Sequence, residues 1–219
     1  MTARKTLVMW SGGLDSTYGL VRLLRESDDE VYAHHISRYA RDDTGQSMTQ
    51  TANYEDRAVH AMRPIVEKAY RPFTFTQSAV NLLAFRNFAR DTSTAMFFAA
   101  HAAMSHDFSG QDRILLSMNS DEDKSWNPGS ELYDFLRAAT IRVLRVTWGG
   151  DGHPRCFLWD HPPAKRDEAA YLPEQLVTLT ASCRNPHHDQ ASNTFGRCQA
   201  CPECVSLSAI APKRKLKLA

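Results

Sequence analysis

The chain has 219 residues, 42% of them apolar, enough for one substantial core and short for two. Lys plus Arg number 26 and Asp plus Glu 25, so no charge excess is available to coat nucleic acid, where affinity comes mainly from neutralising phosphates. The longest apolar stretch, around residues 95–103, carries His101 and falls short of a membrane span. Residues 1–10 lack a leader-like apolar core, so the expectation is a non-secreted, cytoplasmic protein.

Residues 6–10 read as a short buried strand, broken by Ser11-Gly12-Gly13. Residues 16–25 read as a helix, with Tyr18, Leu20, Val21, Leu23 and Leu24 as its apolar positions, and residues 30–36 as a second strand. Strand, glycine turn, helix, strand predicts a parallel α/β sheet. A polar loop over 38–51 precedes a helix over 54–69 and a candidate strand at 72–75. The Ala-, Met- and Phe-rich segment 92–104 predicts a helix packed on both sides, and 113–118 a further strand. Residues 121–130 are loop-like, 131–139 helical, and 141–148 fit either a strand or a continuation of that helix. Residues 149–152 form a turn, 165–171 a short helix, and a cysteine-rich segment and a basic, solvated tail at 213–217 follow.

The segment Ser11-Gly12-Gly13-Leu14-Asp15-Ser16 falls between the first strand and the first helix, where open parallel sheets bind anions. Its glycines let backbone N–H groups approach a phosphate, Ser11, Ser16 and Thr17 add hydroxyls, and the helix N-terminus adds partial positive charge. Asp15 would repel phosphate unless a cation lay between them, which points to Mg²⁺. The Gly-Lys-Ser/Thr ending of a Walker loop is absent.

Four of the five cysteines lie within the last 40 residues: Cys183, Cys198, Cys201 and Cys204. Three at two-residue separations plus one from upstream suit a closed tetrahedral Zn²⁺ site, which contributes on the order of 10 kcal/mol to folding in zinc-finger peptides. A [4Fe–4S] cluster is the competing reading. His187 and His188 lie within the Cys183–Cys198 loop, as replacement ligands or as solvated loop residues. Cys156 reads as a small core residue.

The first motif matches the S-G-G-x-D-S loop of the N-type ATP pyrophosphatases. Together with the cysteines, the chain resembles the 7-cyano-7-deazaguanine synthase family within that superfamily. Leu179-Thr180-Ala181-Ser182-Cys183-Arg184-Asn185 resembles that family's entry to its zinc site, and Phe157-Leu158-Trp159 with Lys165-Arg166-Asp167-Glu168 resembles its apolar segment and following helix. Arg86-Asn87, and His35 with Glu55, also resemble family positions.

The resemblance implies an open Rossmann-like parallel sheet of the adenine nucleotide alpha hydrolase type, with helices on both faces. A domain over 1–180 would bind ATP, and a zinc-binding segment over 181–219 would pack on it. It implies an ATP-dependent C–N ligase that adenylates 7-carboxy-7-deazaguanine, adds ammonia to give the amide, and adenylates again to give the nitrile used in queuosine or related nucleic-acid modification. AMP and pyrophosphate would be released, with Mg²⁺ and ATP required and a homodimer expected. Trp10, Ser11, Gly12, Gly13, Leu14, Asp15, Ser16 and Thr17 would surround the pyrophosphate; Asp15, Ser16 and Lys165 would act in catalysis; His35, Arg86 and Asn87 would meet substrate.

The chain departs from the family at residues 117–128, which keep only acidic residues and Pro128 of its pattern, and at Leu14, where the family has Gln. A member stopping at the amide, another enzyme of the superfamily such as a tRNA thiolase, and a non-catalytic zinc- and nucleotide-binding protein are therefore the alternatives.

Overall fold

The computed structural model describes residues 3–41, 47–85, 91–115, 117, 131–157, 163–183, 186–189, 191–192 and 194–214. Arg86, Asn87 and all of the 117–128 segment except Ser117 lie outside them.

Five strands form one parallel sheet: β1 (Lys5–Met9), β2 (Glu30–Tyr39), β3 (Thr74–Asn81), β4 (Arg113–Leu115) and β5 (Arg155–Phe157), in the order β3-β2-β1-β4-β5. The chain moves outward from β1 to one edge, then returns to β1's other side. The crevice at the carboxyl ends of β1 and β4, where the direction of winding reverses, is where such sheets accept ligands.

The helices are α1 (Leu14–Glu26), α2 (Thr49–Ala69), α3 (Asp91–Ser105), α4 (Glu131–Trp148), α5 (Lys165–Tyr171), α6 (Glu174–Leu179) and α7 (Pro202–Arg214). Strand periodicity sends alternate residues to opposite faces. Val8, Val31, Ala33 and Leu115 enter a core with residues of α1, α2, α5, α6 and α7, while Leu7, Tyr32 and Ile114 enter a second core with residues of α3 and α4. The sheet is therefore covered on both faces. Leu207 and Ile210 of α7 belong to the first core, so the C-terminal segment packs into the body of the protein.

The first strand and helix form as their apolar patterns predict. The 141–148 segment, open between strand and helix in the sequence, continues α4 as helix, and α7 runs to Arg214, two residues into the basic tail. One expectation changes. The third helix is not packed on both sides: Met96, Ala99, Ala100 and Ala103 are buried, while Phe97 and Met104 are 52% and 41% exposed. Its near-uniform apolarity hides the fact that only one stripe meets the sheet.

At the amino end of the sheet, buried Asp29 accepts hydrogen bonds from Thr6 Oγ1 and Arg113 Nη2, and one of 3.1 Å from Arg4 Nε. These ties fasten β1 and β4 to the start of β2. Burial opposes ionisation of Asp29, but these donors outweigh it and hold its carboxyl below the usual range.

Candidate active site and metal centre

Trp10 follows the last residue of β1 and anchors the loop after it. Its ring is fully buried and meets Phe73 and Phe75 edge-on, with centroids 6.5 and 6.0 Å away. Its indole Nε1 donates to Thr17 Oγ1 at 3.0 Å, its backbone N–H donates to His34 O at 2.8 Å, and its carbonyl lies 2.9 Å from His35 Nδ1. A rigid post of this kind is what a short loop needs if its N–H groups are to stay aimed. Thr17 is buried with its hydroxyl turned into the core, 3.9 Å from Met62 Sδ.

Gly12 has φ +83°, and a Cβ there would lie 3.1 Å from both Glu55 O and Val59 Cγ2 on α2. Glycine is required for the left-handed backbone and for the helix packed beneath it. Gly13 is the N-cap of α1 and offers no side-chain cap. The loop satisfies its donors through hydroxyls. Ser11 N donates to Ser16 Oγ at 3.2 Å, Gly13 N donates to Ser11 Oγ at 3.2 Å, and the two hydroxyls are 3.0 Å apart. Leu14 N donates to Ser182 Oγ at 3.2 Å, and Gly12 O accepts from Ala181 N at 2.8 Å. These hydroxyl contacts are at the long end of hydrogen-bond range. Asp15, half-buried, stands in the first turn of α1.

The resemblance marks both His35 and Glu55; in the structure the partner of His35 is Asp56, the residue after Glu55. His35 Nε2 lies 2.7 Å from Asp56 Oδ1, which also accepts from Ser37 Oγ at 2.8 Å, and Gln77 Nε2 donates to Ser37 Oγ at 2.9 Å. Both ring nitrogens of His35 are therefore engaged, Nδ1 with the Trp10 carbonyl and Nε2 with the Asp56 carboxylate. Burial works against ionising Asp56, but the His35 and Ser37 hydrogen bonds overcome it and hold the carboxyl below its ordinary range. His34, on the opposite face, bonds Thr76 Oγ1 at 2.7 Å through Nδ1, while its buried Nε2 has no partner among the described residues. Burial, then the charges of His35 and His106, lower its pKa to about 4.

Lys165 opens α5 and is 8% exposed, so it is not a solvated helix-start lysine; α5 packs on α1 and α7, with Glu168 fully buried in the same helix.

Ser182 leads directly into the cysteine cluster. The Sγ atoms of Cys183, Cys198, Cys201 and Cys204 all lie within 4.8 Å of one another. Cys198 N donates to Cys183 Sγ at 3.2 Å and Cys201 N to Cys198 Sγ at 3.3 Å. N–H donors of this kind suit thiolates. The N–H groups of Ala200 and Cys201 pull the Cys198 thiol down to about 6, whereas burial pushes Cys204 up. Several thiolates this close are favourable only around a cation. The donor set therefore fits a closed, four-sulfur structural metal such as zinc. His187 and His188 are not part of it. They lie on β6 (His187–Asp189), which pairs with β7 (Thr194–Gly196) in a hairpin, and His188 stacks on Phe195 at 4.7 Å.

Arg197, beside Cys198, is a site residue that sequence reasoning misses. It is 4% exposed, with Nη2 donating to Thr180 O at 2.9 Å and Val177 O at 3.3 Å. The sequence alone does not mark Asp56 or Ser182 as site residues either. Ser182 carried a signal in its place beside the first cysteine; Asp56 had none, because its partner lies 21 residues away on another element.

Among the described residues, no helix is long and apolar enough to cross a membrane. The chain matches no protein-family model and no curated protein.

Proposed function

We propose that the chain is an ATP-dependent C–N ligase that converts 7-carboxy-7-deazaguanine and ammonia to 7-cyano-7-deazaguanine, on a Rossmann-like fold of the adenine nucleotide alpha hydrolase type. The observation that carries this reading is the Ser11–Ser16 loop at the carboxyl end of β1, at the reversal of strand order, hydrogen-bonded to the residue before the first cysteine of the metal cluster.

In this reading the N–H groups of Ser11 and Gly13 exchange their hydroxyl partners for pyrophosphate oxygens, to which anionic hydrogen bonds are stronger, while Leu14 N–H keeps Ser182 Oγ and holds the turn in place. Ser11 and Ser16 then donate to the same oxygens. Asp15 would hold Mg²⁺, which offsets charge on the leaving pyrophosphate. A substrate carboxylate oxygen attacks the α-phosphorus of ATP, and pyrophosphate leaves. Ammonia attacks the adenylated carboxyl carbon, AMP leaves, and a proton is lost to give the amide. The amide oxygen attacks the α-phosphorus of a second ATP, and a second pyrophosphate leaves. Loss of that oxygen with AMP, and of the nitrogen's protons, leaves the nitrile. The cysteine cluster, holding zinc with no open position, has no part in bond making. A homodimer without stable nucleic-acid or membrane binding completes the proposal.

The test is zinc-loaded protein with ATP, Mg²⁺, ammonium and 7-carboxy-7-deazaguanine, following AMP and product mass together. Nitrile and AMP that disappear in Asp15→Ala support the reading. An amide that never dehydrates keeps the adenylation step and makes the departure at 117–128 the cause. Folded protein giving neither AMP nor product overturns it.

A further inference from the structure

One face of α2 and the β6–β7 hairpin flank an open cavity of about 340 Å³ lined by Gln50, Asn53, Asp56, Arg57, His188 and Phe195. That volume suits one bicyclic heterocycle. The polar lining is amphoteric: a carboxylate at Asp56, a guanidinium at Arg57, and two side-chain amides. The aromatic wall is His188 stacked on Phe195, with Arg57 4.9 Å over the Phe195 ring.

Asp56 is pre-positioned. Its Oδ1 is fully used by His35 and Ser37, while Oδ2 has no hydrogen-bond partner among the described residues. A fixed, ionised oxygen in a cavity is an acceptor for ring N–H or amino groups. Arg57 and the amides meet carbonyl or carboxylate oxygens, and the aromatic wall supplies a stacking face, the combination by which proteins read an unpaired base. The cavity also adjoins the nucleotide loop. Ala58 and Val59, in the same turn as Asp56, pack under Gly12, and His35 joins Asp56 to the carbonyl of Trp10.

We propose that this cavity is the site for the base of the substrate, a planar 2-amino-4-oxo nitrogen heterocycle, with Asp56 accepting from its N–H edge and Arg57 meeting its oxygens. The assignment deepens the ligase reading and rests on it for the choice of ligand. The hairpin lies between Cys183 and Cys198, so closing the metal cluster also closes one wall of the cavity.

Calorimetric titration of the zinc-loaded full chain tests this without turnover. The ligands are 7-carboxy-7-deazaguanine, guanine and 2-amino-4-oxopteridine, with a non-hydrolysable ATP analogue titrated separately. Arg57→Gln, at an exposed helix position, keeps the fold, and Asp56→Asn tests the carboxylate. Each is expected to weaken heterocycle binding about tenfold or more, the size of a lost charge-assisted hydrogen bond, and Arg57→Gln, outside the His35 network, to leave the ATP analogue within about twofold. Heterocycle binding unchanged in folded Arg57→Gln and Asp56→Asn overturns the proposal, as does loss of ATP-analogue binding instead, which would make the cavity the adenosine site. Absence of binding by all three heterocycles also overturns it. If a heterocycle binds through Asp56 and Arg57 but no AMP forms in the activity assay, the cavity stands and the ligase reading fails.

Discussion

The backbone N–H of Leu14 donates to the hydroxyl of Ser182, 168 residues further along the chain, at 3.2 Å. Leu14 is the first residue of α1, and its N–H is one of those a helix cannot satisfy internally. Ser182 precedes Cys183, so the first turn behind the glycine loop is tied to the cysteine cluster. Arg197, beside Cys198, donates to the carbonyls of Val177 and Thr180, shortly before Ser182. Removing the metal should therefore loosen the loop. Hydrogen exchange of amides 11–17 is expected to speed up on chelation, and Ser182→Ala to show part of that effect with zinc still bound. Ser182→Ala should weaken ATP binding about three- to tenfold, as loss of one hydrogen bond does, with Ser182→Thr restoring it.

Gly19 lets α1 approach the sheet. A Cβ there would lie 2.9 Å from Leu115 Cδ2 and 2.7 Å from Ser117 Oγ. Leu115 is 1% exposed and has little room to yield. Gly19→Ala should cost about 1–3 kcal/mol by overpacking, read as a lower denaturation midpoint in urea. Gly12→Ala adds left-handed strain beside the loop, and ATP binding should fall more than stability does.

Asp29 offers a control at the far end of the sheet. Asp29→Ala leaves Arg113 and Thr6 without their shared acceptor and should cost about 3 kcal/mol, the scale for breaking a buried pair. At a temperature where the variant is folded, its kcat and KM for ATP should match the parent. A changed KM would show that the two ends of the sheet are coupled.

His34 sets a pH dependence. Its pKa falls from 6.5 to about 4 in the fold, so the unfolded chain binds a proton that the native protein refuses. Stability is unaffected well above pH 6.5 and declines as pH falls from about 6.5 toward 4, by about 3 kcal/mol from this group. Asp56, whose folded pKa is depressed, adds a loss only lower, as pH falls through the carboxylate range. Urea midpoints at pH 7.5, 6.5, 5.5 and 4.5 check this. His34→Gln should flatten the slope between 6.5 and 4.5; an unchanged slope would show that His34 is not its source.

The glycine loop, the cysteine spacing and the first strand and helix were legible because each is local: a turn, a ligand spacing or a short apolar period needs only neighbouring residues. Segment 141–148 was not, since an apolar run of that length fits a strand or a buried helix until packing decides. Segment 92–104 showed its helix but not which stripe is buried, because nearly every position is apolar.

The sequence by itself determined the elements around the glycine loop, the chemistry that loop offers, and the four thiols that cluster. Tertiary structure alone decided that β1 sits where the strand order reverses, that His35 meets Asp56 and not Glu55, and that Ser182 closes onto Leu14. Those contacts join residues from 21 to 168 positions apart. No local period encodes such pairs; they arise only when burial of the two cores brings α2, the 177–183 segment and the end of β1 to one place.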